Sequence, residues 1–152
     1  MFKANSDRSP RIPDSLLESP SFQLERLRRR TRDEIDAVLS SHRTSLREYW
    51  ALTCLAENGA YSQTALAETL LMDASDVVRL IDSLEVHGWV RRDRDPKDRR
   101  RQLVTCTEKG KEVQAELAEL VRQGEERALD ESTEKQLKHL RRLARSVMAS
   151  GE

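Results

Sequence analysis

Apolar side chains recur at helical spacing towards both ends of this chain, and give way to short alternating runs only near residue 90. Leu24, Leu27, Thr31, Ile35, Val38 and His42 share one stripe and predict a first helix over about Ser21 to Ser41. Ser45-x-x-Glu48 has the form of a capping box. It predicts a helix to about Glu57 with Leu46, Tyr49, Trp50, Thr53 and Ala56 inward, stopped by Asn58-Gly59. Ser62 caps a short helix that turns Ala65, Leu66, Leu70 and Leu71 inward. Met72-Asp73-Ala74 is a tight break, after which Asp73 or Ser75 caps a helix running to about His87 and ended by Gly88.

Trp89 to Arg92 and Gln102 to Thr105 are strand candidates, joined as a hairpin by the polar stretch Asp93 to Arg101. Thr107 and Glu108 then open a long helix with the stripe Val113, Leu117, Leu120, Val121, Gly124 and Ala128. Ser132-Thr133-Glu134 opens a last helix with Leu137, Leu140, Leu143, Ala144, Val147 and Met148 on one side. The predicted class is mainly α with a small β-hairpin wing (α+β). Residues 1–14, with Pro10 and Pro13, read as a flexible arm. Residues 15–148 read as a single unit. Within it, 45–107 form a compact lobe, and 15–42 with 108–148 form long amphipathic helices.

Charge sharpens this picture. The chain has 152 residues, and its 27 basic and 27 acidic side chains cancel. Their distribution is uneven. Arg91 to Arg101 holds seven basic and three acidic residues, whereas Glu108 to Glu134 holds nine acidic and four basic ones. A protein facing phosphate needs a local positive surface, not a positive total. A second arginine cluster, Arg26, Arg28, Arg29, Arg30 and Arg32, lies on the first helix. It either touches DNA or is a solvated face balancing the later acidic helix, and the solvated reading is preferred. No apolar run approaches the roughly 18 residues that span a bilayer. The N-terminus lacks the apolar region of a signal peptide, so a cytoplasmic location and no membrane partner are expected.

Two short helices around a tight break meet the minimum for a helix-turn-helix, whose second helix enters the major groove by its N-terminal part. Over Ser75 to Glu85, Val77, Leu80, Ile81 and Leu84 face one way and Ser75, Arg79 and Asp82 the other, with Asp76, Val78 and Ser83 between. Arg79 suits guanine O6 and N7, Asp76 cytosine N4, Ser75 a base or phosphate, and Val78 a thymine methyl. An ordinary amphipathic surface helix has the same pattern. The arginine-dense hairpin that follows decides between them, because a cationic ribbon next to such a helix can meet the same duplex.

The stretch Leu80-Ile81-Asp82-Ser83-Leu84-Glu85-Val86-His87-Gly88-Trp89-Val90-Arg91-Arg92 is followed by Asp95-Pro96-Lys97-Asp98-Arg99-Arg100 and by Val104-Thr105-Cys106-Thr107-Glu108-Lys109-Gly110. In that order and spacing these three blocks resemble the signature of the MarR (multiple antibiotic resistance regulator) family. The helix order extends the likeness from about Ser21 to Met148. The resemblance implies a winged helix-turn-helix domain carried by a homodimer that binds double-stranded DNA at a pseudo-palindromic operator. It implies that Asp98 holds Arg100 for the minor groove, with Arg99 at the tip. It implies dimerisation through the terminal helices, with Leu137, Leu140, Leu143 and Val147 in the contact. It also implies a small aromatic or phenolic effector at the junction near His42, Arg43, Tyr49 and Trp50, although Tyr49 and Trp50 equally suit a core.

Redox-sensing relatives carry a cysteine near the start of the first helix, and zinc-sensing ones carry histidines in the long fifth helix. Cys54 and Cys106 lie elsewhere, and residues 108–130 hold no histidine, so neither metal nor cofactor is expected. An enzyme is not expected either. There is no phosphate-cradling glycine loop, nucleophile elbow or H-E-x-x-H. The competing reading is a winged-helix module that binds protein without sequence-specific DNA contacts, and the arginine wing argues against it.

Overall fold

Four helices begin where a serine or threonine satisfies an otherwise unpaired backbone N–H. In the computed structural model, which describes residues 11–151, Ser45 Oγ accepts from Glu48 N at 3.3 Å and Ser62 Oγ from Ala65 N at 3.1 Å. Thr107 Oγ1 accepts from Gly110 N at 3.0 Å and Thr133 Oγ1 from Gln136 N at 3.2 Å. Only Thr133 completes a capping box, because Gln136 reaches back to the Thr133 N–H. At the expected box of Ser45, Glu48 instead accepts from the Thr44 hydroxyl at 2.8 Å. Asp73 occupies an N-cap position without making a side-chain cap bond.

The resulting order is α1 (Asp14–Leu17), α2 (Pro20–Leu39), a single 3-10 turn (Ser40–His42), α3 (Leu46–Asn58), β1 (Tyr61–Ser62), α4 (Gln63–Leu70), α5 (Ala74–Val86), β2 (Val90–Arg94), β3 (Gln102–Cys106), α6 (Glu108–Ala128) and α7 (Glu134–Ser150). The fold is mainly α with one small antiparallel sheet. Residues 1–10 of the expected arm lie outside the described residues, and helix already begins at Asp14, directly after Pro13. The sheet has the order β1-β3-β2, with Tyr61 opposite Val104 and the wing ladder running from Val90–Cys106 to Arg94–Gln102. β1 has no counterpart in the sequence reading. Two residues carry no periodicity, and they are a strand only because β3 offers them an edge.

The core gathers Leu39, Leu52, Leu55, Leu66, Val77, Ile81, Leu84, Val104 and Leu117, each essentially inaccessible to solvent. α5 and α6 bury the stripes expected of them. Other inward assignments shift. On α2, Leu39 is buried while His42 is exposed, because the chain tightens into the 3-10 turn at Ser40 and the helical stripe stops there. On α3, Ala51, Leu52 and Leu55 are buried while Trp50 is 43% exposed. α3 packs against α5, α6 and β3 together, so the face under cover is the one whose small Ala51 allows close approach. Leu71 is also turned out, 93% exposed, where the α4 helix ends in a left-handed residue of φ 52°.

Two close approaches fix α6. A Cβ on Gly124 would lie 3.1 Å from Ile35 Cα, so α2 and α6 touch nearly backbone to backbone. At the other end, Thr107 N donates to Trp89 O at 3.0 Å and Thr107 Oγ1 to Gly88 O at 2.7 Å. Thr107 therefore caps α6 and ties it to the α5–β2 junction. Thr107→Ala is expected to lower stability by about 1–2 kcal/mol, read from urea unfolding. A variant as stable as the parent would mean that water replaces both bonds.

α7 has no buried residue. Its Leu140, Leu143, Val147 and Met148 remain 39–62% exposed, as do Leu24 and Leu27 of α2 at 56% and 40%. Among the described residues no helix is long and apolar enough to cross a membrane.

Candidate nucleic-acid interface

α5 is two-faced in the way a groove-reading helix must be. Val77, Leu80, Ile81 and Leu84 anchor it to the core, while Ser75 and Arg79 face solvent and Val78 is 39% exposed. Arg79 Nη2 donates to Asp76 Oδ1 at 2.7 Å. Asp76, expected to meet a base directly, is thus engaged with Arg79, one turn away.

The wing tip is a hydrogen-bonded turn. Asp95, the one charged residue buried among the described residues, accepts from Lys97 N at 2.9 Å, and its own N–H donates to Arg101 O at 2.9 Å. Arg101 N donates to Asp98 O at 2.9 Å, and Asp98 Oδ1 accepts from Arg100 N at 3.1 Å. The Arg100 guanidinium lies 3.8 Å from Asp98 Oδ1, too long for a hydrogen bond, and its side chain is 96% exposed. Asp98 thus fixes the backbone under Arg100 more firmly than the guanidinium itself. Arg99 offers its carbonyl to Arg94 Nη1 at 3.1 Å, which braces the tip across the hairpin.

Between the start of α4 and the wing lies an open cleft of about 330 Å³ lined by Gln63, Thr64, Arg94, Arg99, Arg100 and Arg101. Its chemistry suits a phosphate, with several guanidinium groups near the first turn of a helix. Sequence reasoning missed Gln63 and Thr64. The signal available was the Ser62 cap, which marks a helix start two residues before Thr64. Arg92 belongs to the basic run but turns inward, 16% exposed, against Asp82 and Glu85.

The four residues expected at an effector site do not converge. Trp50 lines a cleft of about 230 Å³ with Arg28, Arg32, Leu46, Arg47 and Met72, and a second of about 310 Å³ with Ile35, Glu125 and Leu137. Neither cleft is lined by His42, Arg43 or Tyr49. Tyr49 packs against the core, His42 and Arg43 are exposed, and the Arg43 carbonyl lies 3.0 Å from His87 Nε2. Of the expected dimer contacts, Leu137 is half-buried and Leu140, Leu143 and Val147 are exposed.

Burial pushes both the Cys54 and Cys106 thiols up from their ordinary value, which disfavours the reactive thiolate. Among the described residues no cluster of His, Cys, Asp and Glu is placed to hold a metal.

Residues 44–101, the helix-turn-helix and most of the wing, match the family model of the MarR family. A protein of Thauera aromatica described as a candidate transcriptional regulatory protein for the hcr operon is 36% identical over 73 residues, 48% of this chain and 44% of its own length. The chain spans about half the length of the curated relatives it matches. Solved structures extend the likeness beyond the lobe. A MarR-family transcriptional regulator from Rhodococcus sp. RHA1 superposes with a TM-score of 0.78 at 26% identity, over 84% of this chain and 90% of that one. BpsR of Bordetella bronchiseptica shares the fold with a TM-score of 0.78 at 20% identity, over 91% and 97%. The winged lobe thus matches the MarR family in sequence, and the fold is shared with a MarR-family regulator along most of the chain.

Proposed function

We propose that this protein is a cytoplasmic transcriptional regulator that binds a pseudo-palindromic operator as a homodimer, represses by occupying it, and is released by a small aromatic or phenolic ligand. One observation carries the DNA reading. The helix bearing the solvent-facing Arg79 continues directly into a wing whose Arg100 is 96% exposed, so one rigid lobe offers a major-groove and a minor-groove reader together. The basic cleft beside them would seat the backbone phosphate that sets their register.

The homodimer reading rests on α7, whose apolar stripe beyond the half-buried Leu137 stays exposed among the described residues. Two-fold symmetry would then space two recognition helices for successive major grooves. The effector reading rests on the Trp50 cleft, where an aromatic face sits beside Arg28, Arg32 and Arg47 between α2 and the lobe. The solved structure of BpsR concerns regulation of its DNA binding by 6-hydroxynicotinic acid, an aromatic acid of that chemistry. A ligand wedged there would change the angle between lobe and dimer helices, and so the spacing of the two readers.

Arg79→Ala and Arg100→Ala are each expected to weaken binding to a selected genomic duplex by about 1–3 kcal/mol at fixed salt. Parent affinity should fall steeply as salt rises. Unchanged affinity in both variants, with a flat salt profile, would favour a protein partner over DNA.

A further inference from the structure

The geometry points to Arg92 as the positioning residue that sets the pose of the wing against the recognition helix, and with it the selectivity of the DNA binding proposed above, on which this inference rests. Arg92 lies on β2, yet its side chain is engaged almost wholly by helices. Its Nη1 lies 2.6 Å from Asp82 Oδ1 and 3.4 Å from Glu85 Oε1. Its Nη2 donates to the Val78 carbonyl at 3.1 Å, and its Nε donates to Gln63 Oε1 at 3.1 Å. Its backbone N–H donates to Glu85 Oε2 at 3.3 Å. One planar fork thus joins β2 to α4 and to two successive turns of α5.

The place of this joint matters more than its number of bonds. Val78 and Asp82 flank Arg79 on α5, so Arg92 grips the turn that carries the base reader. On its other side Arg92 pairs with Val104 across the wing ladder, two residues before the strand ends at Arg94. A small rotation at Arg92 would swing the tip, where Arg100 sits, relative to Arg79. Reading a sequence needs both side chains in register on one duplex, whereas holding phosphates does not. Asp82 and Glu85 are themselves about half exposed, so these ion pairs contribute little to global stability. Their product is orientation. Lysine cannot substitute, because an ammonium lacks the rigid fork that serves several acceptors at fixed angles.

The test uses the full chain with Arg92→Gln, Arg92→Lys and Asp82→Asn. The probes are the tightest duplex selected from sheared source-genome DNA and, for unselective binding, poly(dI-dC). Arg92→Gln is expected to lower the ratio of the two affinities by about tenfold, with poly(dI-dC) binding changed less than about twofold and unfolding nearly unmoved. Arg92→Lys should lose selectivity as well, and adding Asp82→Asn to Arg92→Gln should do little more. In the free protein, amide exchange across the wing ladder should quicken by about tenfold in Arg92→Gln while α6 is unchanged.

A retained affinity ratio, an equal loss on both duplexes (which would make Arg92 a phosphate contact), or unaltered wing exchange would each overturn the assignment. A parent that selects no duplex would instead overturn the DNA reading itself, and exchange would still tell whether Arg92 holds the wing.

Discussion

Gly110→Ala is expected to destabilise the protein by about 3 kcal/mol or more, although alanine ordinarily favours a helix by about 1 kcal/mol over glycine. The opposite sign comes from one contact. A Cβ at residue 110 would lie 2.0 Å from the Trp89 carbonyl oxygen and 2.8 Å from Cys106 Sγ. That carbonyl also accepts the Thr107 N–H, so it cannot move away without breaking the start of α6. Helix and hairpin must therefore separate, which loosens the seat of the wing as well as the core around Leu117. Urea unfolding measures the loss directly. A variant within about 1 kcal/mol of the parent would mean that the hairpin can slide off α6 cheaply, and the wing would then be a far softer element than proposed.

The second large effect concerns assembly. If the proposed homodimer forms through α7, Leu143→Glu with Val147→Glu should leave a monomer in sedimentation equilibrium and weaken binding to a palindromic duplex by about a hundredfold or more. The two side chains are 60% and 61% exposed, so the change leaves the chain's own core intact. Unfolding of the winged lobe at unaltered temperature would separate lost pairing from lost folding. A dimer that survives both charges would place the contact elsewhere, with the exposed Leu24 and Leu27 of α2 as the next surface to charge.

What could be read from the sequence was mostly what is local. Ser45, Ser62, Thr107 and Thr133 mark helix starts because a cap is made within three residues. The α5 stripe was legible because a single face of it is covered, and the wing because Asp95 and Asp98 organise their own turn. What failed depends on distant neighbours. Tyr61 and Ser62 are a strand only through Val104 and Leu103. The inward face of α3 is chosen by α5, α6 and β3 at once, which favours Ala51 over Trp50. The role of Arg92 stays hidden in the basic run, because a charge run does not reveal which member meets a carboxylate 7 or 10 residues earlier. Trp50 lines two clefts, but His42, Arg43 and Tyr49, grouped with it by sequence position, share neither.

The bareness of α7 bears on how the chain behaves with temperature. A segment of 17 residues with no buried side chain has little beyond its own propensity and one capping box to keep it helical. Isolated helices shorter than about 12–15 residues are marginal in water, and α7 exceeds that length by little. Where α7 frays in a lone chain, part of its ordering would be deferred to the moment of pairing. Association would then carry the thermodynamic signature of folding, with a large negative heat-capacity change and an affinity that bends steeply with warming. The amount of protein and the temperature would together decide how much of it is competent, before any ligand is present.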